Sequence, residues 1–329
     1  MATERSFWEA AVWLPGVLCV VAAAGCGVLR APTAPAAVRA DTTLTAAAPL
    51  ARFEGARGLG VAPGGTVYVA DAARDVIVRL PTAGDREAVL GGSGGQAGQF
   101  DRPADVDPTN GLLVVVADAG NGRLQRFSDE FRHLGTLPVG RGYAAAGQTP
   151  ARPVFDAQTD VSNDLGGGRP VAVRDPDGDA TYALDAAEGH VLKWEDQRQT
   201  VRIIGGFSDG AGALRDPVGL AVGPDGTLYV ADPGRGAVMT YDRFGSFLAA
   251  RARGRADSAR AVAVGPRGRL YLAKPRSVLI LSGEGRLLRR VTLRLGASDD
   301  EGGGVVDVAP HERGVFVLTP GALYRFERL

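Results

Sequence analysis

The phrase "APGGTVYVADAARD" (Ala62 to Asp75) returns nearly letter for letter as "GPDGTLYVADPGRG" (Gly223 to Gly236). Self-similarity constrains a chain more than any bulk property, because a repeated unit must pack against its own copies. Alignment on this phrase gives six copies. They are "GLGVAPGGTVYVADAARDVIVRL" from Gly58, "ADVDPTNGLLVVVADAGNGRLQRF" from Ala104 and "PVAVRDPDGDATYALDAAEGHVLKW" from Pro170. Then come "GLAVGPDGTLYVADPGRGAVMTY" from Gly219, "AVAVGPRGRLYLAKPRSVLIL" from Ala261 and "VVDVAPHERGVFVLTPGALYRF" from Val305. The second apolar run closes on Asp71, Asp118, Asp185, Asp232, Lys274 and Thr319, at intervals of 47, 67, 47, 42 and 45.

Each copy alternates apolar runs with Pro/Gly/Asp turns, which predicts three short strands. Weaker fourth strands follow, as in "REAVLGG" (Arg86 to Gly92) and "FRHLGTL" (Phe131 to Leu137). Four strands in about 45 residues is the size of a propeller blade. A content of 47 glycines beside 45% hydrophobic residues fits many short strands and turns. The predicted fold is all-β, a six-bladed β-propeller with four-stranded blades. The sixth copy reaches Leu329 with only three strands, and "LARFEG" (Leu50 to Gly55) precedes the first copy. That N-terminal strand is expected to close the last blade, removing an edge that would invite aggregation.

The N-terminus is a separate object. Ala10 to Leu29 is an uncharged apolar stretch, and both cysteines, Cys19 and Cys26, lie within it. A terminal apolar run ending in small residues reads as an export signal. "AAGC" (Ala23 to Cys26) resembles a bacterial lipobox, with Ala23 in place of the usual Leu. Cys26 is the expected lipidation site, and an uncleaved anchor or simple secretion are the alternatives. Residues 1–26 are read as signal peptide and lipobox, 27–48 as an Ala/Pro-rich tether, and 49–329 as the propeller. An insert at 141–168 separates blades two and three. The expected location is a membrane-anchored lipoprotein facing the periplasm or cell exterior.

The second and fourth copies, with their leaders "GGSGGQAGQFDRP" (Gly91 to Pro103) and "GGFSDGAGALRDP" (Gly205 to Pro217), resemble the NHL-repeat family of β-propellers. The resemblance spans roughly Leu50 to Leu329. It implies the propeller fold and says little of activity, since that family holds interaction modules, sensors and a few metal-dependent lyases.

Several residues compete for a role. Asp71, Asp118, Asp185 and Asp232 are expected to accept hydrogen bonds from turn amides rather than to ring a cation. "RDPDGD" (Arg174 to Asp179) imitates a calcium loop, but Ala186 stands where the closing acid belongs, so a turn is expected. The histidines, His133, His190 and His311, fall on separate strands and turns, which argues against the histidine set of an NHL-type amidating lyase. On the first strands, Gly60, Asp105, Ala172, Ala221, Ala263 and Asp307 are aligned as equivalents. Asp105 and Asp307 break a run of small residues near the axis, and a buried carboxyl needs a partner. They are the channel candidates. The loop-face contact candidates are Gln99, Phe100, Arg102, Tyr143, Phe155, Phe207 and Arg215.

The chain carries 37 basic and 37 acidic residues, and nothing in that balance suggests a nucleic-acid partner, whose binders usually show a basic stripe. The expected function is a non-catalytic binding scaffold at the cell envelope, recognising a protein or cell-surface ligand on its loop face, with no cofactor. A sensor or binding component for carbohydrate or peptidoglycan is a third reading. The alternative is a metal-dependent lyase or lactonase with a divalent cation at the axial channel.

Overall fold

The computed structural model describes residues 41–80, 87–140, 168–195, 200–206, 210–295 and 303–327. Two short strands come first, β1 (Thr42–Thr45) and β2 (Ala51–Arg52). Blade 1 holds β3 (Ala56–Val61), β4 (Val67–Asp71), β5 (Val76–Leu80) and β6 (Ala88–Gly91). Blade 2 holds β7 (Pro103–Asp107), β8 (Leu113–Asp118), β9 (Arg123–Ser128) and β10 (His133–Pro138). Blade 3 holds β11 (Pro170–Arg174), β12 (Thr181–Asp185), β13 (His190–Glu195) and β14 (Thr200–Gly205). Blade 4 holds β15 (Gly219–Val222), β16 (Leu228–Asp232), β17 (Ala237–Tyr241) and β18 (Phe247–Arg251). Blade 5 holds β19 (Ala261–Val264), β20 (Leu270–Lys274), β21 (Ser277–Leu281) and β22 (Leu287–Arg294). Blade 6 holds β23 (Asp307–His311), β24 (Gly314–Leu318) and β25 (Ala322–Phe326), completed by β2.

The closure is physical. Ala51 pairs with Leu323 and Arg52 with Ala322, so an N-terminal strand seals the last blade. The first strand of each blade packs on the first strand of the next, and β23 packs on β3 to finish the ring. The segment read as a tether also contributes a strand. Thr42–Thr45 pairs in parallel with β22 and makes blade 5 five-stranded. "TTLT" is rich in β-branched residues, and the open edge of β22 offers unpaired amides and carbonyls.

The core lies between blades. Among the described residues, six apolar clusters form, one at each interface between neighbouring blades. Strand alternation explains this. On β4, Val67 and Val69 pack toward blade 6 while Tyr68 and Ala70 pack toward blade 2. Such strands are buried on both faces and therefore read as unbroken apolar runs. Phe100 belongs to this core: it is fully buried and stacks edge-on against Phe127. It is thus no surface contact, contrary to its reading from the sequence.

The repeated aspartates fasten each blade's entry loop. Asp71 accepts from the amides of Glu54 and Gly55, Asp118 from Asp101, Asp185 from Arg169, and Asp232 from Arg215 and Asp216. Asp185 and Asp232 also accept from the following turn, at Ala187 and Arg235. The role is structural, but its main target is the blade's own entry loop, 16 or 17 residues upstream, rather than the next turn. Burial raises the Asp118 carboxyl above its ordinary value, against the pull of bonds from Asp101, Asn121 and Arg123.

Candidate functional site at the propeller axis

The first strands surround an axial cavity of ≈ 810 Å³. That volume is in the usual range for small-molecule sites, roughly 300–1,000 Å³. Asp105 and Asp307 both line it, from β7 and β23. Strand register corrects their alignment with the other blades. Asp105 faces Ala117 and Asp307 faces Leu318, each one residue before the strand-closing position. Gly58, Ala172, Gly219 and Ala261 stand at that level in the other blades. Gly60, Ala221 and Ala263 lie two residues further along, level with Asp107 and Arg174. The offset is two residues also in β15 and β19, which run without a bulge, and a shift of two keeps the same strand face, so apolar periodicity does not reveal it.

The small residues are required. A Cβ on Gly58 would stand 2.4 Å from the Asp105 Cα, and one on Gly60 would stand 2.3 Å from the Pro108 Cδ. First strands this close have amides that no neighbouring strand takes up, and the aspartates serve some of them. Asp105 accepts from its own neighbour Val106 and, across the blade junction, from Val173, both at 2.9 Å. Asp307 accepts from Val308 at 2.7 Å and from Leu59 of blade 1 at 2.9 Å.

Sequence reasoning missed the cation among them. Arg174 lines the same cavity, and its Nη1 donates to Asp105 Oδ2 at 2.6 Å and to the Val173 carbonyl. Its signal was present, since Arg174 ends the first strand where blades 1, 4 and 5 carry Gly60, Ala221 and Ala263, but "RDPDGD" drew attention to its acids instead. Beneath it, Asp107 accepts from the Asp175 amide at 2.5 Å and from Thr109 at 2.7 Å. Asp175 in turn accepts from Thr181 at 2.6 Å.

These charges set one another's protonation. Burial works against the Arg174 charge, but Asp105, Asp107 and Asp307 together more than offset it and hold the guanidinium above its ordinary value. Burial raises the Asp107 carboxyl, opposed by Arg174 and the Asp175 amide. Asp307 is pushed up to about 7, first by burial and then by the negative charge of Asp105. Asp105 carries the direct salt bridge to Arg174, so Asp307 is the carboxyl that gains by keeping its proton.

The other expected contacts scatter. Arg102 lines the cavity mouth. Gln99 holds its own loop, accepting from the Gln96 amide. Arg215 is exposed, with its amide bound to Asp232. Cys26, Tyr143, Phe155 and Phe207 lie outside the described residues. The histidines do not converge. His133 stacks on Phe127, His190 begins β13, and His311 approaches the Pro63 carbonyl.

Fold and cavity together define a six-bladed β-propeller with a charged axial site. No family model and no curated protein matches the chain. Solved structures do match. A gluconolactonase from Xanthomonas campestris is 14% identical, with 83% of this chain and 86% of that one covered and a TM-score of 0.58. A virginiamycin B lyase from Staphylococcus aureus is 9% identical, with 85% and 98% covered and a TM-score of 0.57. A regucalcin from Agrobacterium tumefaciens, described as calcium-binding, is 14% identical, with 87% and 95% covered and a TM-score of 0.57.

These neighbours overturn the expectation of a non-catalytic scaffold. The lactonase and the lyase are named for catalysis. A divalent cation, however, does not suit the residues present. Among the described residues no three His, Cys, Asp or Glu gather as ligands. The two cavity carboxylates already accept backbone amides, and the Arg174 guanidinium supplies the positive charge that an ion would bring.

Proposed function

We propose that this propeller is an axial-site enzyme of the lactonase or lyase type, working by acid–base chemistry on its own side chains. The observation that carries the reading is Asp307: a cavity-lining carboxyl held at about 7 by burial and by Asp105. A group poised near the working pH in a concave site is a candidate general base and acid.

For a cyclic ester the steps balance. Ionised Asp307 takes a proton from water as the water oxygen bonds to the ester carbon. Arg174 faces the negative charge that develops on the carbonyl oxygen. The bond from the carbon to the ring oxygen then breaks, and that oxygen takes the proton back from Asp307. The product is the open hydroxy acid. No step passes through a metal.

The test is hydrolysis of a panel of aliphatic lactones by the purified full chain, with and without a chelator. Activity is expected to rise with pH through about 7 and to survive chelation. Asp307→Asn is expected to lose about 100-fold or more in kcat. Full activity in Asp307→Asn, loss on chelation, or no turnover of any lactone would overturn the reading.

The finer kinship with NHL repeats is part of this proposal, supported by the leaders before blades 2 and 4. Export with a lipid on Cys26 is proposed from the apolar stretch Ala10 to Leu29. Cys26→Ser should then move the protein from the membrane to the soluble fraction, and unchanged partitioning would count against the anchor.

A further inference from the structure

The mouth of the axial cavity is unusually basic for a chain with no net charge. Its lining carries five arginines, Arg57, Arg102, Arg169, Arg174 and Arg260, against two aspartates. Register shows a pattern in how they arrive. Arg57 and Arg260 both sit one residue before the axial small-residue level, in blades 1 and 5. Arg102 and Arg169 both immediately precede the proline that opens the first strand, in blades 2 and 3. Guanidinium groups from four of the six blades therefore meet at one opening.

Only part of this charge is spent on the protein. Arg174 is tied to Asp105, and Arg102 pairs with Asp101 at 2.9 Å. Arg260 donates to the carbonyls of Gly303 and Val305, which leaves its charge unneutralised. Arg57 and Arg169 are exposed and have no acidic partner among the described residues. Arg102 also has φ 50, a left-handed backbone uncommon for a side chain of its size. The Asp75 carboxylate holds its amide there at 2.7 Å. Backbone strain kept by the surrounding structure gathers at ligand-binding positions.

We propose that this mouth selects a small multivalent oxyanion, a substrate carrying phosphate groups or several carboxylates. The inference deepens the axial-site reading above and rests on it for the word substrate. The guanidinium fork matches both chemistries, taking carboxylate or phosphate oxygens in pairs. A low-dielectric funnel lined by one sign of charge concentrates such ligands before contact. Arg174 at the floor would then meet the reacting end while the rim holds the charged end.

The test is calorimetric binding to the full chain, which reads affinity without turnover. The probes are inorganic pyrophosphate and citrate, with acetate and glucose as controls. Pyrophosphate or citrate is expected to bind at least tenfold tighter than acetate, and to weaken steeply between about 0.05 M and 0.3 M salt. Whichever of the two binds better assigns the phosphate or the carboxylate class. Arg57→Ser and Arg169→Ser are each expected to lose about tenfold in affinity, near 1.4 kcal/mol. Arg253→Ser, exposed and outside the cavity, should leave affinity unchanged. Equal affinity for acetate and pyrophosphate, or wild-type binding in both rim variants, would overturn the proposal. Anion binding without lactone turnover would leave this inference standing and remove the catalytic one. Turnover of neutral lactones with no anion preference would do the reverse.

Discussion

Asp307 offers the sharpest test of the axial electrostatics, because its protonation links to stability. In the unfolded chain its carboxyl titrates at the ordinary value of 3.8, whereas in the folded protein it is held at about 7. Between these values the folded state keeps a proton that the unfolded state has released. Stability from this group is therefore fully present below pH 3.8 and is lost as pH rises through about 7. The span from 3.8 to about 7, at about 1.36 kcal/mol per pH unit, is on the order of 4 kcal/mol. Asn at position 307 stays neutral at every pH. It also keeps one acceptor for the Leu59 or Val308 amide and loses the other, at about 1 kcal/mol. Urea unfolding followed by circular dichroism at several pH values from 5 to 8 reads the difference. The wild type has already lost about 1.6 kcal/mol of this stability by pH 5, so Asp307→Asn should be close to or slightly more stable than the wild type there, and its advantage should widen by up to about 3 kcal/mol by pH 8. A difference that stays constant across that range would refute the idea that Asp307 is a buried carboxyl holding its proton.

Three further outcomes follow from the packing. Leu124→Ala empties a fully buried place between blades 2 and 3 and should cost about 2–5 kcal/mol in the same urea assay. Gly58→Val would drive a side chain onto the Asp105 backbone, where a Cβ already stands 2.4 Å from Cα. It should destabilise by about 3 kcal/mol and, unlike Leu124→Ala, should also weaken any axial ligand measured by calorimetry. Deleting residues 1–55 removes β2 and bares the edge of β25, so light scattering should detect association that the intact chain does not undergo.

The fold was legible because propeller packing writes itself into local sequence. A strand such as β4, "VYVAD", is buried on both faces and flanked by turns with glycine at positive φ, as at Gly65. Its five relatives repeat that signature, so strand count within the blades, blade count and the closing role of "LARFEG" could be read directly. β1 escaped notice because one parallel pairing on an outer edge leaves no periodic trace, only the β-branched "TTLT". The site was half legible. Asp105 and Asp307 stood out as acids among small residues, but cross-strand register decides which neighbours share their level, and it sets Gly60, Ala221 and Ala263 two residues further along on the same face. Phe100 looked like a loop aromatic, and only tertiary packing against Phe127 places it in the core.

The axis also shows where the sixfold repeat has been broken. Blades 4 and 5 meet the channel with small side chains, Gly219 and Ala221 in one and Ala261 and Ala263 in the other. Blades 2, 3 and 6 carry Asp105, Asp107, Arg174 and Asp307 at the same two levels. Asp105 and Asp107 lace blade 2 to blade 3, and Asp307 laces blade 6 to blade 1. Fastening alone does not require this arrangement, because the junctions around blades 4 and 5 hold with apolar clusters and no axial charge. Nor does it require a cavity, since buried charge costs stability unless fully paired. Three carboxyls around one guanidinium leave a surplus of negative charge, and a proton on Asp307 is the cheapest way to reduce it. The asymmetry thus creates at the cavity floor a carboxyl that exchanges its proton near neutral pH. A uniform ring of small residues could not do so, which is why the charged sector, rather than the loops, carries the functional reading.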